Sequence, residues 1–72
     1  MIDYSPLWNT LKKKKISTYR LLKEYNFSKG TLDSLKHNRS VTLNTIDTLC
    51  MILQVPIEDI VNITYDRDSK DL

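Results

Sequence analysis

Apolar residues recur at helical spacing through most of this 72-residue chain. Leu7, Trp8 and Leu11 share one face of a helix predicted over residues 6–14, with Ser5 as N-cap and Pro6 at the first helical position. Leu21, Leu22 and Tyr25 share a face of a second, over 18–25, which Ser17 caps. Ser28 caps a third, over 29–37, in which Leu32 and Leu35 lie together on one side. Leu43, Ile46, Leu49, Cys50 and Leu53 form one stripe of a fourth, which begins after Thr42 and ends near residue 53. Residues 55–60 read as a short fifth helix, with Ile57, Ile60 and Val61 covering the bottom of the bundle. The ends change period: Ile2 and Tyr4, then Val61, Ile63 and Tyr65, alternate with polar neighbours. Either these ends pair as a two-stranded ribbon, the preferred reading, or both are loose. Residues 66–72, DRDSKDL, read as a flexible tail after a domain of residues 1–65. The predicted fold is all-α: a bundle of five short helices, with the small ribbon of the chain ends.

The stretch from Ser17 to Arg39 organises the rest. Asn26 tolerates the left-handed backbone that a sharp turn needs, so the second and third helices read as a helix-turn-helix pair. At about 100° per residue, Gly30, Asp33, Ser34 and His37 point away from Leu32 and Leu35, with Lys29 beside them. No large apolar group stands on that front. A short helix with a packed back and an uncrowded polar front fits a DNA major groove.

These residues resemble the Cro/repressor helix-turn-helix domain of phage and bacterial regulators. Ser17, Leu21, Phe27, Ser28, Thr31, Leu32 and Leu35 match its pattern. Thr18 stands for the usual Gln, Leu22 for Ala, and Asn26 and Asn38 for turn glycines, a replacement that Asn suits because it accepts positive φ. Lys36 stands where a Glu is common, and Leu11 where the Arg that pairs with that Glu often stands; both partners are absent together. The resemblance spans roughly residues 6–61. It implies a bundle of the repressor DNA-binding-domain type and two-fold dimers on near-palindromic sites.

Charge adds a direction. The net charge of +2 hides an asymmetry: residues 9–39 carry nine Lys and Arg against Glu24 and Asp33, a net of +7, while residues 40–72 carry two against six acids, a net of −4. A basic half that holds the helix-turn-helix suggests a polyanionic partner. Within it, residues 12–15 are four consecutive lysines at a helix C-terminus. They suit the helix dipole there, and they also suit phosphates beside a groove.

Little else carries chemistry. His37 is the single His and has no second His or Cys at ligand spacing, so no metal site is expected. Gly30 is the single Gly, which rules out a glycine-rich phosphate loop. Glu58 and Asp59 suit a helix start. Cys50 reads as an inert core thiol and Trp8 as a core anchor rather than a stacking platform. One Cys fits a reducing cytoplasm, no apolar run approaches a membrane span, and MIDYSPLW lacks the pattern of a signal peptide. No enzyme, cofactor, membrane partner or small-molecule substrate is expected.

The expected function is sequence-specific binding of double-stranded DNA by a cytoplasmic transcriptional regulator. Lys29, Gly30 and Ser34 face base edges, with Thr31 and Asp33 close by. Lys29 suits guanine O6 and N7, Gly30 allows close backbone approach, and Asp33 suits a cytosine amino group. Thr18, Ser28, Arg39, Lys14 and Lys15 are the expected phosphate contacts. Ile57, Ile60, Ile63 and Tyr65 are the candidates for a homodimer interface. The alternative is a protein-interaction module of the same fold, an antitoxin or an anti-repressor. A third reading, single-stranded RNA binding, lacks an aromatic platform.

Overall fold

The computed structural model describes residues 1–65, so the tail expected over 66–72 lies outside the described residues. The elements in order are β1 (Ile2–Asp3), α1 (Ser5–Lys14), α2 (Thr18–Glu24), α3 (Lys29–Lys36), α4 (Leu43–Leu53), a 3-10 turn (Ile57–Asp59) and β2 (Asn62–Ile63). β1 and β2 pair antiparallel, with Ile2 opposite Ile63 and Asp3 opposite Asn62. Residues 2–3 and 62–63 therefore form the ribbon rather than lying loose, and the expected Tyr4 and Tyr65 fall outside its two short strands.

Three helices start where a hydroxyl can cap them. Ser17, Ser28 and Thr42 sit in extended backbone, and their side-chain oxygens accept from the backbone N–H of Arg20, Thr31 and Thr45. Each bond satisfies an amide that the first helical turn leaves open. α1 differs from expectation: it begins at Ser5, not after it. The Asp3 carboxylate accepts from both Ser5 N (3.0 Å) and Ser5 Oγ (2.6 Å). These bonds hold the Asp3 pKa below its usual value, the side-chain bond most strongly.

The helices stop in one way. Lys15, Asn26, Asn38 and Gln54 follow the four helices with φ of 55–60°. Behind three of them runs a bond from the next residue to a carbonyl five positions back: Ile16 to Leu11 (3.0 Å), Arg39 to Ser34 (2.8 Å) and Val55 to Cys50 (3.1 Å). This is the Schellman arrangement, and Ile16 and Val55 then fold back onto the core as its apolar partner.

Among the described residues ten apolar side chains are buried: Tyr4, Leu7, Leu11, Leu21, Leu32, Leu35, Ile46, Leu49, Leu53 and Ile60. Trp8 packs half-buried against them. Truncating one such leucine costs about 2–5 kcal/mol, comparable with the whole stability of so small a domain. Function is therefore tested on exposed residues. Thr10 is buried on α1 and donates to the Asp59 carbonyl at 2.8 Å, which ties α1 to the 3-10 turn.

Three expectations are corrected. The fifth helix is only a 3-10 turn, because the segment between Pro56 and β2 has room for one turn before the ribbon starts. Leu43 is 79% exposed, since it opens α4 ahead of the point where that stripe meets the core. Tyr25 lies at the exposed C-cap of α2 rather than in its packed face.

Candidate nucleic-acid interface

Two serines fix the positions of α2 and α3. Ser17 Oγ accepts from Arg20 N at 3.2 Å and Ser28 Oγ from Thr31 N at 3.0 Å. Between the helices, Asn26 turns the chain at φ 60° and Phe27 N donates to the Leu21 carbonyl at 3.1 Å. With Leu32 and Leu35 anchored in the core, Lys29, Gly30 and Asp33 stand exposed on the far side, and Ser34 is half-buried. Thr31 is also half-buried, and its hydroxyl accepts from Ser28 Oγ at 2.9 Å. Its first task is thus to complete the cap.

Nothing inside the protein requires glycine at position 30. A Cβ there would meet only Ser28 Oγ, at 3.9 Å, and the backbone is ordinary helix. The absent side chain leaves the α3 front flat where it faces outward.

Asp33 has two neighbours, His37 at helical spacing and Arg39, which spacing does not reveal. Arg39 Nη1 lies 3.4 Å from its Oδ2, and His37 Nδ1 lies 3.2 Å from its Oδ1 and 2.8 Å from its backbone carbonyl. Arg39 reaches back because Asn38 takes φ 55° and Arg39 N bonds to the Ser34 carbonyl, which folds the chain over the last turn of α3. A contact six residues apart is not a helix-surface spacing.

A shallow groove runs between the two helices, lined by Leu22 of α2 and by Lys29, Leu32, Asp33 and Lys36 of α3. Lys36 is the residue that sequence reasoning missed here. It stands seven positions after Lys29, two turns along the same face, and that spacing was the available signal.

The remaining charges sort into paired and unpaired. Arg20 is taken by Glu24, at 3.1 Å from Nε and 3.0 Å from Nη2. Lys23 stands 5.8 Å over the Tyr19 ring. Among the described residues no lysine forms an ion pair. Lys14 and Lys15 are exposed at the end of α1, while Thr18 is half-buried at the first position of α2. Cys50 is half-buried on α4; burial first, then Asp47 and Glu58, push its thiol pKa up and disfavour the thiolate.

Ile57, Ile63 and Tyr65 are exposed, as an interface would need. Ile60 is 0% exposed and belongs to the monomer core, because the 3-10 turn points it inward; its expected place at a dimer interface is withdrawn.

The sequence matches the Cro/C1-type HTH DNA-binding domain over residues 6–66. The chain belongs to this family. Among solved structures, this Cro/C1-type domain is similar to the transcriptional regulator VanUg (crystal form II), with 25% identity and a TM-score of 0.82 over 90% of this chain and 87% of that one. No curated protein matches it significantly. The Cro/C1-type assignment makes this an HTH DNA-binding domain, and its structural neighbour is a regulator of transcription. Among the described residues, no helix is long and apolar enough to cross a membrane, and no cluster of His, Cys, Asp or Glu is placed to hold a metal ion.

Proposed function

We propose that the chain regulates transcription by inserting α3 into the major groove of a specific duplex. The observation that carries this is the α3 front: Lys29, Gly30 and Asp33 are exposed on a helix whose back is locked into the core. Lys29 donates to guanine O6 and N7, Gly30 admits close approach of the backbone, and Ser34 lies beside the base edges. Thr31 contributes through the cap it forms with Ser28. Thr18, Ser28, Lys14 and Lys15 meet phosphates on either side.

One domain of this size reads only a few base pairs, so we further propose a two-fold homodimer on a near-palindromic site. Leu43, Ile57 and Ile63 are its apolar contacts, around a hollow floored by Tyr4, Ile46 and Val61. Leu43 takes the part that Ile60 cannot.

Selection of binding sites from random duplex DNA tests the proposal. A recurrent near-palindromic motif is expected, bound with a steep salt dependence. Lys29→Ala should relax the preference at one position per half-site, at a cost of about 1–3 kcal/mol. Failure to enrich any duplex would favour the protein-interaction module, an antitoxin or anti-repressor, to which the neutralised Asp33–Arg39 pair is equally suited.

A further inference from the structure

We propose that Asp33 sets specificity through Arg39: it holds the guanidinium in the free protein and releases it to a DNA phosphate only where the facing base supplies an amino group. This rests on the groove-reading role of α3 proposed above. Asp33 is the one acid on the exposed front of α3, and Lys29 and Lys36 line the same groove without pairing to it. Its cation is instead Arg39, brought back by the left-handed turn at Asn38. The two side chains are 54% and 64% exposed, so the pair is weak and exchangeable.

A phosphate is a better partner than this carboxylate, since it carries its charge within a polyanion and accepts a guanidinium fork. Transfer of Arg39 to the backbone, however, takes the arginine from Asp33 inside a negative field and leaves beside its carboxylate only the His37 ring nitrogen, 3.2 Å away. A carboxylate only accepts hydrogen bonds. The donors on the major-groove floor are the amino groups of cytosine and adenine. Opposite guanine or thymine, Asp33 finds acceptors, and Arg39 must remain with it. His37 Nδ1 lies 2.8 Å from the Asp33 carbonyl as well as 3.2 Å from its carboxylate, one helical turn along α3, so it keeps its place at the helix end while Arg39, beyond the turn, is the partner that can move. One base identity is thereby coupled to one phosphate contact.

The test compares the wild type, Asp33→Asn, Arg39→Gln and the double variant on the selected duplex and on a duplex changed at the facing base. Both positions are on the surface, and a thermal melt of each variant checks that it folds. For the wild type, the salt slope should be steeper on the selected duplex by about 0.9, the increment for one neutralised phosphate. Asp33→Asn should tighten binding to the changed duplex, steepen its slope by the same amount and cut the preference about tenfold or more. In the Arg39→Gln background, Asp33→Asn should leave both slopes where they are. If Asp33→Asn tightens binding equally with and without Arg39, Asp33 acts by repulsion alone and the coupling is refuted while groove reading stands. If Asp33→Asn changes neither affinity nor slope on either duplex, the coupling is likewise refuted. A wild type that binds no duplex refutes both.

Discussion

The Tyr4 hydroxyl donates to the Arg39 carbonyl at 2.7 Å, across 35 residues of sequence. The Tyr4 backbone N–H is accepted by Asn38 Oδ1 at 3.0 Å, so the residue after β1 grips both residues of the turn that ends α3. Its ring is buried in the core. The ribbon thus does more than close the chain ends: it sets where the last turn of the candidate reading helix can stand.

Tyr4→Phe keeps the ring and removes the hydroxyl. It should cost about 0.5–1.5 kcal/mol, the net worth of one hydrogen bond, read from urea melts. Burial pushes the Tyr4 pKa above its usual 10.0, opposed in part by the Val41 backbone. The folded state therefore favours the neutral phenol. Its contribution is complete below the unfolded pKa of about 10 and is lost as pH rises through the raised folded value. The wild type should lose stability above about pH 10 more steeply than Tyr4→Phe, because lysine titration is common to both. Parallel curves would show that the phenol is not held neutral by the fold.

Much of this architecture is legible in the sequence because it is local. Ser17, Ser28 and Thr42 announce their helices by side-chain chemistry alone, and Asn26 and Asn38 take the left-handed backbone that their residue type tolerates. Lys15 and Gln54 take the same backbone without such a signal; tertiary packing of Ile16 and Val55 imposes it. Leu43 and Ile60 show the limit of a periodic pattern. Both fit an apolar stripe, but one stands before the stripe reaches the core and the other is turned into it by a 3-10 bend. The Asp33–Arg39 pair is invisible to spacing rules, because it exists only after the chain has folded back at Asn38.

Gly30 separates folding from function. An added methyl meets nothing closer than 3.9 Å, and helix formation favours Ala over Gly. Gly30→Ala should therefore stabilise the free protein by up to about 1 kcal/mol in a thermal or urea melt. If the α3 backbone approaches the base edges as proposed, the same change should weaken binding to the selected duplex. A variant that gains stability and binds DNA as before would remove Gly30 from the contact surface.

Residues 12–15 are expected to act without reading sequence. Lys14→Gln with Lys15→Asn removes two charges, and Asn suits the left-handed backbone at position 15, so the fold is kept. Binding to all duplexes should weaken alike, and the salt slope should shrink by up to about 0.9 for each phosphate no longer neutralised. Melting should move little, because a lysine near a helix C-terminus contributes only about 0.3–1 kcal/mol. An unmoved slope would leave these lysines serving the α1 dipole alone.

The proposed dimer offers a variant that breaks the interface while favouring the monomer fold. Leu43 opens α4, and that helix has no acid in its first turn. A carboxylate there suits the positive end of the helix dipole, so Leu43→Glu should leave the monomer at least as stable. Across a two-fold axis, the same carboxylate would enter an apolar surface formed by Ile57 and Ile63 and meet its own copy. Burying an unpaired charge is costly, and truncating a central apolar contact alone costs about 1–2 kcal/mol or more. The dimer should weaken at least about tenfold in sedimentation. Binding to the full near-palindrome should fall toward that of a half-site, while preference within the half-site persists, because α3 is untouched. In the intact dimer on DNA, the two copies of α3 should stand about 34–36 Å apart, one duplex turn. A strict one-to-one complex of the wild type on a non-palindromic site would refute the dimer, and would assign Leu43, Ile57 and Ile63 to some other surface, without touching the case for α3.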